Sequence, residues 1–258
     1  MSNPKILVER DGDVMIVRLN DPATLNSVTT DMGDAMREAL EEASKSCRAV
    51  MLAGGERGFC SGANLSGGRD FDDPNLDVGA SLEGHYNPLM MTVRNLPIPL
   101  VSAVRGPAAG VGASLALCAD LLVAGKSAYF LEAFARIGLV PDGGATWLLT
   151  RAIGRPRAME MMMLAEKIPA PQALEWGLIN RVVEDDKVEE EAMALAQRLA
   201  KGPSSLGLIR RAGWIAAEAA FEEALGTERR FQREAGLSPD FKEGVTAFRE
   251  KRPAKFGG

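Results

Sequence analysis

Two β-rich runs open the chain, KILVER (residues 5–10) and DVMIVRLN (residues 13–20), and the Asp11-Gly12 turn signal between them predicts a hairpin. From Thr29 the period changes. Met32, Met36, Ala39, Leu40 and Ala43 recur on one face of a helix, with Thr29 or Thr30 as its N-cap. RAVMLAGG (residues 48–55) reads as a buried strand closed by glycines, and RGFCSGANL (57–65) as a tight turn. Residues 66–79 are rich in Gly and Asp without periodicity, so a mobile loop is expected there, followed by a helix around residues 80–95. LPIPLVSAVRG (96–106) is a strand entered through prolines. AAGVGASLALCAD (108–120) is expected to be helical although each glycine costs about 1 kcal/mol in a helix interior. LLVAG and SAYFL are two more strands. Beyond Asp142 the pattern turns almost wholly helical, over residues 156–165, 171–177, 188–201, 203–225 and 239–251. Alternating strands and helices followed by helices alone give an α/β class with a helical C-terminal region.

Composition narrows what such a chain can do. With 258 residues, 46% of them hydrophobic, it can build one large core. A net charge of −5 argues against a nucleic-acid binder, which needs a basic footprint. Cys47, Cys60 and Cys118 are an odd number without a CxxC pair, so neither a disulfide framework nor a zinc site is expected, and a reducing, cytoplasmic setting fits. The single histidine, His85, excludes a multi-histidine metal centre, and any Ser-His-Asp scheme would have to pass through it. The N-terminus lacks the pattern of a secretory signal. The longest apolar stretch, 106–119, is too short to span a bilayer, so no membrane association is expected.

Three glycine-rich segments carry candidate chemistry. GFCSGANL (58–65) follows a buried strand, and small residues there let the main chain approach a ligand with its amides free. GPAAGVGAS (106–114) also follows a strand and opens a helix, where free N–H groups and a partial positive charge suit a developing oxyanion. Either segment alone is better explained as a tight turn with close helix–sheet packing, and the spacing is not that of a dinucleotide-binding loop. The third, GLVPDGGATW (138–147), places Asp142 between a proline and two glycines. An aspartate there is either a turn or capping residue or, among apolar neighbours, a general base whose pKa is raised toward neutrality.

In order, RLNDPATLNS, GFCSGANL, PLVSAVRGPAAGVGASLALCADLLVAG, IGLVPDGGATWLLTRAIG and AFREKRPAKF closely resemble the crotonase superfamily, also called the enoyl-CoA hydratase/isomerase family, along essentially the whole chain. The resemblance implies a crotonase-like ββα spiral core over residues 1–200 and a helical C-terminal trimerisation region over 201–258, assembled as homotrimers or pairs of trimers. It implies a coenzyme A thioester as substrate, no separate cofactor, no metal, and a thioester enolate held by two backbone amides, which match Ala63 and Val111. Hydratases of the family use two glutamates, and their positions here hold Ser114 and Phe134, neither of which can activate water or protonate carbon. The PDGGATWLL stretch is instead similar to phenylacetate-pathway isomerases, in which an aspartate at the Asp142 position shuttles a proton. The expectation is therefore a double-bond isomerase, 3-enoyl-CoA to 2-enoyl-CoA, with Asp142 as base and then acid. A dehalogenase of the family also uses an aspartate nearby, but with a histidine that has no counterpart here. Two alternatives stand beside it: a hydratase in which Glu132 takes over a carboxylate role, and a non-catalytic acyl-CoA-binding subunit.

The resemblance further places Leu25 against the pantetheine and adenine parts of CoA, Ala63, Asn64 and Leu65 around the adenine, and Phe248 and Lys251 near the CoA phosphates. Lys242, Arg249, Lys251, Arg252 and Lys255 make the C-terminal stretch basic, although a solubilising helix would read the same. Trp147 either lines the acyl site or packs beside it. His85 reads as a surface or partner contact, Cys60 as packing and Asp120 as a structural hydrogen-bonding residue. Met159 and Met161–163 read as a core or subunit-contact face.

Overall fold

The computed structural model describes residues 4–65 and 72–257. A six-stranded sheet forms the frame, in the order β1 (Ile6–Asp11), β2 (Val14–Leu19), β3 (Ala49–Ala53), β4 (Leu100–Val104), β6 (Leu121–Gly125), β9 (Arg181–Val183). The first pair is the hairpin, antiparallel from Ile6↔Leu19 to Asp11↔Val14, and every later neighbour is parallel. β3 and β4 are buried at every position, as central parallel strands covered on both faces must be.

Because side chains alternate across a strand, each face acquires its own core. Met15, Val17, Leu19, Val50, Leu52, Leu100 and Leu122 point toward α1 (Thr30–Ser46) and α2 (Asn87–Asn95). The α1 stripe of Met32, Met36, Ala39, Leu40 and Ala43 is buried as its spacing requires, and Thr29 caps the helix by accepting from the Met32 N–H at 3.3 Å. On the opposite face Val14, Ile16, Met51, Ala103 and Val123 meet α7 (Val188–Ala200) through Val188, Ala192, Leu195 and Ala196. The helix expected around residues 80–95 is present, with a π-helical turn over Leu82–Tyr86. Of the expected loop at 66–79, residues 66–71 lie outside the described residues. Residues 72–79 form turns in which Asp73 and Asp77 accept from the Asn75 and Gly79 N–H groups.

Three expectations are corrected. Residues 108 and 109 are not helical. Pro107–Ala109 forms β5, and the helix α3 begins at Val111 and runs to Leu117, because the Gly110 N–H is taken by the Leu131 carbonyl of a strand. That strand, β7 (Tyr129–Leu131), pairs in parallel with β5 and antiparallel with β8 (Ile168–Pro169) to make a second, small sheet. The region after Asp142, expected to be almost wholly helical, thus supplies two strands, β8 and β9. Around them stand α4 (Ala145–Ala152), α5 (Gly154–Leu164) and α6 (Ala170–Glu175). The helix expected over 203–225 is two: α8 (Ser205–Ala216) and α9 (Phe221–Gly236), followed by α10 (Pro239–Glu250). Nothing in the residues at 217–220 forbids a helix. The break is tertiary: the Ala217 carbonyl accepts from Arg151 Nε at 3.1 Å, and Glu222 and Glu223 open the new helix where negative charge is favoured.

Candidate active site

Two chain crossings build the site. Leaving β3, the chain turns so that Val28 and Ala63 form a parallel bridge, with Val28 N–H donating to Gly62 O and Asn64 N–H donating to Val28 O. In such a bridge the intervening N–H, that of Ala63, points the other way, and no described hydrogen bond occupies it. A second bridge, Cys60↔Ala108, ties this turn to β5, with Ala109 N–H donating to Cys60 O at 2.9 Å. The next residue, Gly110, has φ +52 and ψ −130, open to glycine and strained for any side chain. A Cβ on it would lie 3.8 Å from Gly62 Cα. The two turns therefore touch at these glycines, which lead into Ala63 and Val111. Val111 is the first residue of α3, and its N–H too has no bonded partner among the described residues. Gly112 allows this approach as well, since a Cβ there would fall 2.6 Å from Cys60 Sγ.

Asp142 is held over this corner through its own backbone carbonyl. Its carbonyl accepts from Ser114 Oγ at 3.0 Å and from the Ala145 N–H at 3.0 Å. A Cβ on Gly143 would meet Ser114 Cβ at 2.9 Å and Val111 Cγ2 at 3.2 Å, so the turn lies directly on the first turn of α3. Asp142 is not a helix cap: α4 is capped at Gly144 without a side-chain bond. Its carboxylate is half-buried, with Oδ1 buried and without a partner among the described residues. Burial disfavours the anion and pushes Asp142 up to about 6.

A second carboxyl lies behind it. Glu132 is completely buried, and neither carboxyl oxygen has a hydrogen-bond partner among the described residues. Burial first, and then the charge of Asp142, push it up to about 9. Its sequence signal is an acid set between apolar residues, FLEAF, directly after a strand. The hydratase positions hold no acid: Ser114 is buried and spent on the Asp142 carbonyl, and Phe134 packs against Gly110.

The other residues singled out from the sequence lie at varying distances from this corner in the fold. The Leu25 carbonyl accepts from the Ser61 N–H at 3.0 Å, so Leu25, at φ +53, borders the first turn. Asn64 Nδ2 donates to Ser27 Oγ at 3.0 Å, and Leu65 is exposed. Trp147 stacks on Trp214 of α8 with centroids 5.3 Å apart, and the Arg151 guanidinium covers it at 4.1 Å. Phe248, 85% exposed, borders a C-terminal cavity of about 610 Å³ with Phe231, Phe241 and Phe256, and neither Asp142 nor the two turns line that cavity. Lys251 ends α10 at φ +56. His85 Nδ1 lies 2.9 Å from Asp34 Oδ2. Cys60 is buried and its thiol pushed up to about 12, which makes it inert packing. Among the described residues no cluster of His, Cys, Asp and Glu could hold a metal, and no helix is long and apolar enough to cross a membrane.

Comparison with known proteins shows the family. The family model for enoyl-CoA hydratase/isomerase matches residues 9–258. The chain is 43% identical to 1,2-epoxyphenylacetyl-CoA isomerase of Escherichia coli K12, with 98% of each chain covered. It is 40% identical to a probable enoyl-CoA hydratase of Rhodobacter capsulatus, with both chains fully covered. The crystal structure of an enoyl-CoA hydratase from Polaromonas sp. JS666 superposes with a TM-score of 0.92 at 31% identity, covering 98% of this chain and 99% of the other. The α/β architecture is thus that of the crotonase fold, and the chain belongs to the enoyl-CoA hydratase/isomerase family.

Proposed function

We propose that the protein is an acyl-CoA double-bond isomerase that converts a 3-enoyl-CoA to a 2-enoyl-CoA, with Asp142 as its single acid/base. The observation that supports this reading is the half-buried Asp142 carboxylate in a turn that packs on the first turn of α3, where the Gly62 and Gly110 turns touch. With the thioester oxygen between the Ala63 and Val111 N–H groups, removal of a C2 proton by Asp142 places the electrons on that oxygen as a dienolate. Each such donor is worth about 2.7–4 kcal/mol in the transition state. The proton held on Asp142 is then returned to C4. The double bond moves from C3–C4 to C2–C3 and the carboxylate is regenerated. A pKa of about 6 leaves Asp142 ionised at neutral pH yet basic enough to accept a carbon-bound proton.

Hydration is supported less well. It needs one group for water and one for carbon, and the other carboxyl of the site, Glu132, is sealed from solvent. The 43% identity to 1,2-epoxyphenylacetyl-CoA isomerase supports an isomerisation rather than water addition, on an epoxide rather than an enoyl thioester in that relative, and other relatives bear hydratase names. A purely binding role leaves the unbonded, half-buried Asp142 carboxylate without a purpose. The thioester is the substrate and the reaction needs no further cofactor or metal. For CoA itself, Leu25, Asn64 and Leu65 border the first turn. Phe248 and Lys251 stand on the C-terminal helices, where a neighbouring subunit of a trimer would bring them to the phosphates. The test is Asp142→Asn. Isomerisation of 3-hexenoyl-CoA is expected to fall by about 10²–10⁴-fold with acyl-CoA binding retained. A variant that still isomerises at the wild-type rate would remove Asp142 from the chemistry.

A further inference from the structure

Glu132 follows β7 directly, one residue after the carbonyl that binds the Gly110 N–H at 2.8 Å. It is therefore fixed to the same backbone that presents Val111. Among the described residues nothing positive faces it. α3 has no charged residue, and the only one in the stretch 138–148 is Asp142. Nearby cations are engaged elsewhere: Arg136 donates to the Ala165 carbonyl, Lys167 lies over the Tyr129 ring at 4.3 Å, and Arg105 pairs with Glu189 at 3.5 Å. A carboxylate buried without a cation or a donor costs far more than its neutral acid, so such a group keeps its proton.

Resting on the isomerase reading, we propose that Glu132 is a positioning residue that stands uncharged beside Asp142 and confines the negative charge of the site to Asp142 and, after proton transfer, to the dienolate. A second anion there would oppose the enolate that the two amides are arranged to hold, because like charges in a dry site repel strongly. The working range follows from the pair. Above about 6 Asp142 is ionised, and up to about 9 Glu132 remains neutral. Among the described residues, Asp142 is the charged group that acts on Glu132.

The experiment compares the pH dependence of kcat/KM for wild type and Glu132→Gln, which is neutral at every pH. Wild type is expected to rise through about pH 6 and fall near pH 9, and E132Q to rise in the same place and then hold a plateau. An alkaline limb identical in both proteins overturns the proposal. So does loss of activity at every pH in a folded E132Q protein, since Glu132 would then carry a reacting proton. Glu132→Met, uncharged and of similar volume, serves if E132Q fails to fold. A readout independent of turnover is the infrared carbonyl band of a protonated carboxyl at neutral pH, expected in wild type and lost in either variant. Its absence from wild type overturns the proposal whatever the activity, whereas its presence in a protein that isomerises nothing sinks the reaction assigned to Asp142 instead.

Discussion

Asp142 and Glu132 show how one environment gives two carboxyls different tasks. Asp142 is half-buried and ionises first, so its charge acts on Glu132, whereas Glu132 is still protonated when Asp142 titrates. The same asymmetry has a cost in stability. Glu132 binds its proton more tightly folded, at about 9, than at its ordinary 4.5, so as pH rises between these values the unfolded chain loses a proton that the native state keeps. Stability must fall across that window and level off above it. Glu132→Gln removes this loss. Its melting temperature relative to wild type is expected to be lowest at pH 4.5 and to rise steadily toward pH 9. A difference independent of pH would show that Glu132 is ionised in the native state. The sequence signals the two residues unequally. Asp142 stands out because proline and two glycines surround it. Glu132 shows only as an acid among apolar neighbours, and what decides its state, the absence of a cation, is set by side chains distant in sequence.

At the scale of elements, period and position carried most of the information. The α1 stripe, the Asp11-Gly12 hairpin and the buried β3 follow from local pattern, and each is present where expected. Residues 108–109 and the break at 217–220 could not be read locally, because each is decided by a partner from far along the chain. Arg210 is the clearest such partner. Buried on α8, it donates to Asp120 at 2.9 Å and to the Val93, Arg94 and Leu96 carbonyls at the end of α2. Asp120, expected to be a structural hydrogen-bonding residue, also accepts from the Leu100 N–H at 2.7 Å. One buried guanidinium thus closes a helix end and pairs a half-buried carboxylate. Arg210→Met, which keeps the apolar stem, is expected to cost about 1–3 kcal/mol, because it strips the Val93, Arg94 and Leu96 carbonyls and the half-buried Asp120 of a charged donor. Urea denaturation measures it, and a loss below about 1 kcal/mol would mean that solvent replaces the guanidinium.

For the whole molecule, the central fact is that one corner is assembled from three separated segments. The turn after β3, the start of α3 and the turn before α4 meet because β3 and β4 are parallel neighbours, Cys60 bridges to Ala108, and Ser114 bonds the Asp142 carbonyl. Their order along the chain signalled the family, but their convergence depends on this sheet topology. A 1,3-proton shift by one carboxylate is checked by incubating the purified protein separately with 3-hexenoyl-CoA and 2-hexenoyl-CoA in deuterated water and following both by mass spectrometry. Conversion of the 3-enoyl to the 2-enoyl thioester is expected, with no adduct of water from either substrate. A water adduct formed from 2-hexenoyl-CoA at an ordinary enzymatic rate, about 10 s⁻¹, without isomerisation of the 3-enoyl thioester would contradict it.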